Sequence, residues 1–381
     1  MVGMRSTVDI IFIVFTYLYL DKFQADLLAV AQHVLSGGVT TYHYVVSPLL
    51  LTLLFFLLQR GVFSLFHVKR YFYAINYLPS FLLMTILTSI PADFGQHHAW
   101  SWRWLLVPVA LAVWGGLSWV STQMETLEPP LRHEGKLSRE LWQNVLMLTL
   151  MMMSVVEMAN HDRIFHERLR MEHLMLQGKY AEALEVGKRS EKTDSSLTML
   201  RIACLHRCGR MGQELFTYPL AGGSKTMVPD GVTVRAMMWK APRWMESARL
   251  SDGTAQRQTV RKKRYRIPKD YMLCALLLDK KLDRFVAEVK RTYANDSVKM
   301  PRHYKEALVL YAHRRTSPVM VYKDGVMEAD FQDFQALEHK YNNAAEKQAA
   351  LRDTYGNTYW YYYQYGVESI TNENDNEGKN Q

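Results

Sequence analysis

The chain has 381 residues, with 46 Lys and Arg against 37 Asp and Glu, a net charge of +9 and a mean hydropathy of −0.17. That length allows two domains, and the hydropathy averages two unlike halves: residues 1–158 carry nine basic and nine acidic side chains, so the whole +9 belongs to the remainder. The chain holds no Walker glycine loop, His-Glu-x-x-His, Gly-x-Ser-x-Gly or EF-hand, which excludes the chemistries those motifs carry.

Between Leu27 and Met124 only five side chains are charged: Arg60, Lys69, Arg70, Asp93 and Arg103. A bilayer crossing needs roughly 20 mostly apolar residues. Four blocks approach or reach that length, over 44–66, 71–92, 104–124 and the shorter 141–158, and a weaker first span runs over about 8–26. Arg5 before the first block and Ala29-Val30-Ala31 after it imitate a signal peptide, but the charged stretch from Asp21 to Asp26 fits an uncleaved span better. Pro48, Pro79 and Pro108 imply kinks. The Lys/Arg bias orients the set. Arg60, Lys69 and Arg70 mark one cytoplasmic connection, and Arg132, Lys136 and Arg139 a second. Residues 21–43, 92–103 and the C-terminal domain then face outward; if the last block does not cross, that domain is cytoplasmic. Nucleic acid would be drawn to the positive charge, but not across a membrane, so none is expected as a partner.

The domain over 159–366 reads as helical, with an insertion at 221–267 and a disordered tail at 367–381. Three segments share an apolar helix, a tight turn and a second helix. The turns fall at Gly178, Gly209 and Lys280, and the two glycines are 31 residues apart. Gly178, Tyr180, Ala183 and Leu184 resemble the turn of tetratricopeptide-type repeats. The third copy departs from that pattern, with Lys280 for the glycine and Phe285 for the alanine. A fourth helix pair is expected through 301–315 and 328–355. Within the insertion, Arg261-Lys262-Lys263-Arg264 is either a solvated run or a contact for anionic lipid or a phosphate-bearing partner. The cluster Tyr359, Trp360, Tyr361, Tyr362, Tyr363 either caps the last repeat or stacks on a sugar or docks at the bilayer, which makes Tyr359, Trp360 and Tyr363 candidate partner-binding residues.

Cys204 and Cys208, four apart, and the distant Cys274 read as buried small hydrophobes. His206 and the adjacent pair His97-His98 lack further ligands at a metal-site spacing. Glu157 and His161 are expected on one helical face, able to form a metal pair or a hydrogen bond. No metal or cofactor is called for.

The first outward segment, from Asp21 and Asp26 through Gly37-Gly38 to Pro48, resembles the start of GT-C-type membrane glycosyltransferases. That likeness implies a polyprenyl-linked sugar donor and makes Asp26, with Asp21 beside it, the candidate base that takes the acceptor's proton. It covers about 40 residues, and the chain has fewer spans than that family. Over Asp21–Gly38, Arg201–Leu220 and Tyr359–Gly366 the chain resembles an uncharacterised family of multi-pass proteins from Gram-negative bacteria. Together these features predict an all-α bacterial inner-membrane protein. Its multi-pass helical domain would present a periplasmic tetratricopeptide-like domain to a protein or envelope component, with a transferase as the alternative.

Overall fold

The computed structural model describes residues 2–68, 70–90, 103–127, 139–188, 190, 192–246, 248–251, 254–257, 267–293 and 300–366. Among the described residues the fold is all-α apart from one short hairpin, and the chain divides into two units, Met1–His166 and Glu167–Gln381.

The first unit contains α1 (Val2–Leu18), continued by a π-helical turn over Tyr19–Phe23, then α2 (Ala25–Leu35), α3 (Val46–Phe66), α4 (Leu78–Thr88), α5 (Arg103–Leu127) and α6 (Arg139–Met158). Among the described residues three stretches are long and apolar enough to cross a membrane: Gly3–Phe23, Val46–Phe66 and Arg139–Met158. The block expected as one span over 71–92 is built differently. Its first part, Arg70–Tyr77, is a 3-10 helix with Phe72 out of helical geometry, and α-helix runs only over Leu78–Thr88. Asn76 favours the break, because its amide donates to the carbonyls of Val68 at 3.0 Å and Tyr73 at 2.8 Å. Pro79 then opens α4 in the first turn, where a backbone N–H has no helical partner to lose.

Which residues face inward shows what surrounds this unit. α1 and the π turn after it bury Met4, Val8, Phe12, Thr16 and Leu20 at four-residue spacing, while Ile10, Val14 and Leu18 of α1 are exposed. α3 buries Thr52, Phe55, Gln59 and Val62, with Leu49, Leu50, Leu53, Leu54 and Leu57 outside. α6 encloses Asn144 and Leu148 but exposes Trp142, Leu146, Leu150 and Met153. α5 turns Ser118 and Ser121 inward and Val113, Leu117 and Trp119 outward. A helix in water does the reverse. Leucine outside with Gln, Asn, Thr and Ser inside suits helices whose solvent is hydrocarbon, where polar groups must bond to one another. With three stretches long and apolar enough to span, this outward face suggests membrane association.

The second unit begins within α7 (Arg163–Leu176) and continues through α8 (Tyr180–Glu185), α9 (Ser195–Arg207), α10 (Met211–Glu214) and α11 (Arg243–Glu246). The antiparallel hairpin β1 (Ala248–Ser251) and β2 (Thr254–Arg257) follows. Then come α12 (Lys269–Leu278), α13 (Leu282–Thr292), α14 (Arg302–Arg314), α15 (Gly325–Lys340), α16 (Ala344–Tyr355) and α17 (Tyr359–Tyr365). The three turns singled out in the sequence share one geometry. Gly178, Gly209 and Lys280 have φ of 75°, 67° and 57°. In each, the turn residue's N–H returns to the carbonyl three back and the next N–H to the carbonyl five before it: Lys179 to Leu174, Arg210 to Leu205, Lys281 to Leu276. This is a Schellman-type helix end, and glycine suits it because a Cβ is disfavoured at positive φ. α8 and α10 are short, with six and four residues, so the first two pairs have abbreviated second helices.

Buried charges tie this unit together. Arg201 is fully enclosed and donates to the carbonyls of Gly187 at 3.0 Å and Pro219 at 3.2 Å and to the Thr193 hydroxyl at 3.2 Å. Glu172, also fully enclosed, accepts from the backbone N–H groups of Met237, Met238 and Trp239. The start of the stretch read as an insertion is thereby woven into the core, with Met227, Val234, Met238 and Met245 all buried.

Candidate functional site

Three places concentrate polar chemistry. The first is the loop after α1. The π turn Tyr19–Phe23 carries Asp21, and the first turn of α2 carries Asp26. The Tyr44 hydroxyl donates to Asp26 Oδ1 at 3.0 Å, and Lys22 lies 2.8 Å from Asp21. Tyr42 packs edge-on against Tyr44 at 5.3 Å. Burial, with the Asp21 and Asp26 charges adding to it, pushes the Tyr42 phenol well above its usual range. The fold thus gives Asp26 a tyrosine partner, Tyr44.

The second place went unread in the sequence. Asp9 is only 8% exposed. Its carboxylate accepts from Arg60 Nη2 at 2.5 Å, from the Tyr73 hydroxyl at 3.0 Å and from the Tyr77 hydroxyl. The Gln59 amide donates onward to Tyr73 at 3.2 Å. At 1.5 Å per residue this knot lies about 18 Å along the helix from Asp21. The available signal was a pair of opposite charges, Asp9 and Arg60, each inside an apolar block, since ionisable groups in such segments find each other.

The third place is the surface of the second unit around α17. Tyr359 and Trp360, expected to meet a partner, are instead enclosed, 0% and 2% exposed. The Tyr359 hydroxyl donates to the Leu277 carbonyl at 3.3 Å, and Trp360 Nε1 to the Glu306 carbonyl at 2.8 Å. Tyr362, also buried, bonds the Leu278 carbonyl at 3.0 Å. These rings cap the end of α12 and pack on the body of α14 at Glu306, so the partner-binding expectation is corrected for Tyr359 and Trp360. Tyr363 faces outward into a cavity of about 530 Å³ lined also by Lys280, Lys281, Arg284, Arg314 and Arg315. Arg314 stands 4.6 Å and Lys280 5.8 Å from the centre of the Tyr363 ring.

Beneath this surface, His303 and Glu306 form a buried pair at 2.9 Å, 0% and 1% exposed. The Phe216 N–H points at His303 Nε2 at 3.4 Å, so Nδ1 carries the proton given to Glu306. Arg302 and the Tyr359 N–H complete the carboxylate's partners at 2.7 Å each. The pair is enclosed, and its work is structural.

The repeat-turn residues take local roles. Ala183 is fully buried, Tyr180 opens α8 with Arg207 5.9 Å from its ring centre, and Gly178 and Gly209 hold the left-handed positions. Cys204 and Cys274 are buried free thiols pushed up to about 12 by burial. Glu157 lies on α6, which ends at Met158, so His161 does not follow it on one helical face. Among the described residues no group of three His, Cys, Asp or Glu could hold a metal. His97, His98, the run Arg261-Lys262-Lys263-Arg264 and residues 367–381 lie outside the described residues.

Residues 246–366 match the model of a family of unknown function (DUF6057). No curated protein and no solved structure matches the chain. The matched stretch contains α12 to α17 and therefore the whole lining of the cavity beside Tyr363.

Proposed function

We propose that this is a multi-pass inner-membrane protein of a Gram-negative bacterium that holds a tetratricopeptide-like binding module in the periplasm for a protein or envelope component. The observation that carries this reading is that one chain joins an inside-out helical unit to a unit of helix pairs. In that second unit most charged residues lie at the surface, a few such as Glu172 and Arg201 are enclosed, and three turns share one left-handed geometry. Stacked helix pairs leave a surface suited to a ligand. Outward placement follows if the helices up to α6 cross five times, with the Arg60 end inside. Reporter fusions after residue 200 test it: activity from a periplasm-dependent reporter is expected, and activity only from a cytoplasm-dependent one overturns the placement.

The second reading, a GT-C-like transferase with Asp26 as base, is favoured by one observation: Asp26 sits in the first turn of α2 with a hydroxyl, that of Tyr44, donating to its Oδ1 at 3.0 Å. Asp26→Asn is the test. Loss of envelope-glycan transfer, with module binding retained, supports it; unchanged transfer overturns it.

A further inference from the structure

We propose that the cavity beside Tyr363 is a binding site for a phosphoryl-bearing anion, either a soluble diphosphate-type group or a phosphorylated lipid head. The proposal rests on the reading of the second unit as a binding module and names what it binds.

Four observations converge. The lining brings together five cations, Lys280, Lys281, Arg284, Arg314 and Arg315, with one acid, Asp283. Those cations come from two separate places in the chain, the α12–α13 turn and the end of α14. Asp283 is engaged by Arg315 through two bonds at 2.5 and 3.0 Å, and Lys281 lies 3.9 Å from Asp279 outside the lining, so two of the five cations meet acids and the lining keeps an excess of positive charge. Arg314 and Lys280 instead flank the Tyr363 ring, and Arg314 Nη1 lies 3.4 Å from the Tyr363 hydroxyl, which holds the guanidinium in place.

The second observation is a backbone one. Lys280 occupies the left-handed position that its two counterparts fill with Gly178 and Gly209. A side chain there is strained, and strain retained at one of three equivalent turns marks a residue wanted for its side chain. Here that side chain is a cation on the cavity wall. Third, about 530 Å³ suits a small molecule or a head group, since such sites run from about 300 to 1,000 Å³. Fourth, converging guanidinium and ammonium groups match a phosphoryl group, whose several oxygens accept from different directions. A lone carboxylate would need one arginine only.

The test uses the full chain in a neutral detergent at low salt. Inorganic pyrophosphate is titrated calorimetrically against wild type, Lys280→Gly, Arg314→Gln and Lys179→Gln, the last an exposed cation away from the cavity. Pyrophosphate is expected to bind, with Arg314→Gln about tenfold weaker, the loss of one charge-assisted contact. Lys280→Gly should weaken binding about fivefold on the same grounds, while melting no lower than wild type because the strain is relieved. Reduced binding by that variant therefore cannot be misfolding. Mixed micelles containing phosphatidylglycerol, with phosphatidylcholine as control, then separate the sources: displacement of pyrophosphate by the anionic lipid alone assigns a lipid head, and no displacement assigns a soluble ligand. No binding of either probe by wild type overturns the proposal, as does an equal loss in Lys179→Gln. The titration reads the same on either side of the membrane, so a cytoplasmic reporter result would sink the periplasmic reading and leave this one standing.

Discussion

The two units solve the same packing problem with opposite surfaces. In the first, Gln59, Asn144, Thr52 and Asp9 are enclosed while leucines cover α3 from outside. In the second, Leu273 to Leu278 and Phe285 are enclosed, and the surface is left to residues such as Lys179, Glu182 and Arg314. Both also bury charge. Among the described residues the first does so at Asp9, held by Arg60, and the second at Glu172, Arg201 and Glu306 among others. The comparison separates two uses of a buried polar group. In a unit whose exterior is apolar, polar side chains are what one helix can recognise in another. In a unit whose exterior is polar, burial of leucine drives association, and buried charges instead fix irregular backbone such as residues 237–239.

Variants that attack each kind of buried charge put this contrast to the test. Arg201→Met should have the largest effect, about 3 kcal/mol of stability, because two carbonyls and a hydroxyl lose their donor in a closed space. Chemical denaturation of the full chain, followed by tail-specific fluorescence, measures it; a loss below about 1 kcal/mol would show that the site relaxes or admits water. Asp9→Asn should cost about 2 kcal/mol in the first unit, since Arg60 and two phenols lose an anion. Adding Arg60→Gln should recover part of that loss, and additive losses in such a cycle would deny the coupling.

The turns provide a smaller effect. Gly209→Ala places a Cβ at φ 67° and should cost about 1 kcal/mol, while Lys280→Gly should raise stability by about 0.5 kcal/mol. Opposite signs at the two positions are the signature of equivalent turns, read as shifts in melting temperature. The smallest effect is one of pH. Burial lowers the His206 pKa, with Trp244 and Tyr271 edge-on to its ring. The unfolded chain then binds this proton first, so stability should fall as pH drops below about 6.5, the ordinary value, toward the folded value. His206→Phe should flatten that slope, and a slope unchanged by the substitution would assign it to another group.

The apolar blocks around α3 and α6 could be read directly, because hydrophobic length is a local property that needs no partner. The turns at Gly178, Gly209 and Lys280 were also legible, since a left-handed residue between two apolar helices is written into about ten consecutive positions. The break at Asn76 was not, because it depends on where one amide finds its carbonyls. Nor were the fates of the aromatic cluster. Tyr359, Trp360 and Tyr363 are nearly adjacent, yet two are enclosed and one faces the cavity, a sorting made by α12 and α14 far away in the chain.

By itself, then, the sequence determined the division into a charge-poor, span-forming part and a charged helical part, and the positions of the three helix-ending turns. Only the tertiary structure decided that Asp9 meets Arg60, Tyr73 and Tyr77 across more than 50 residues, that Asp26 takes the Tyr44 hydroxyl, and that five cations gather around Tyr363. Periodicity and length are carried by neighbours in the chain. Pairing of charges depends on which helix faces which, and no local pattern carries that.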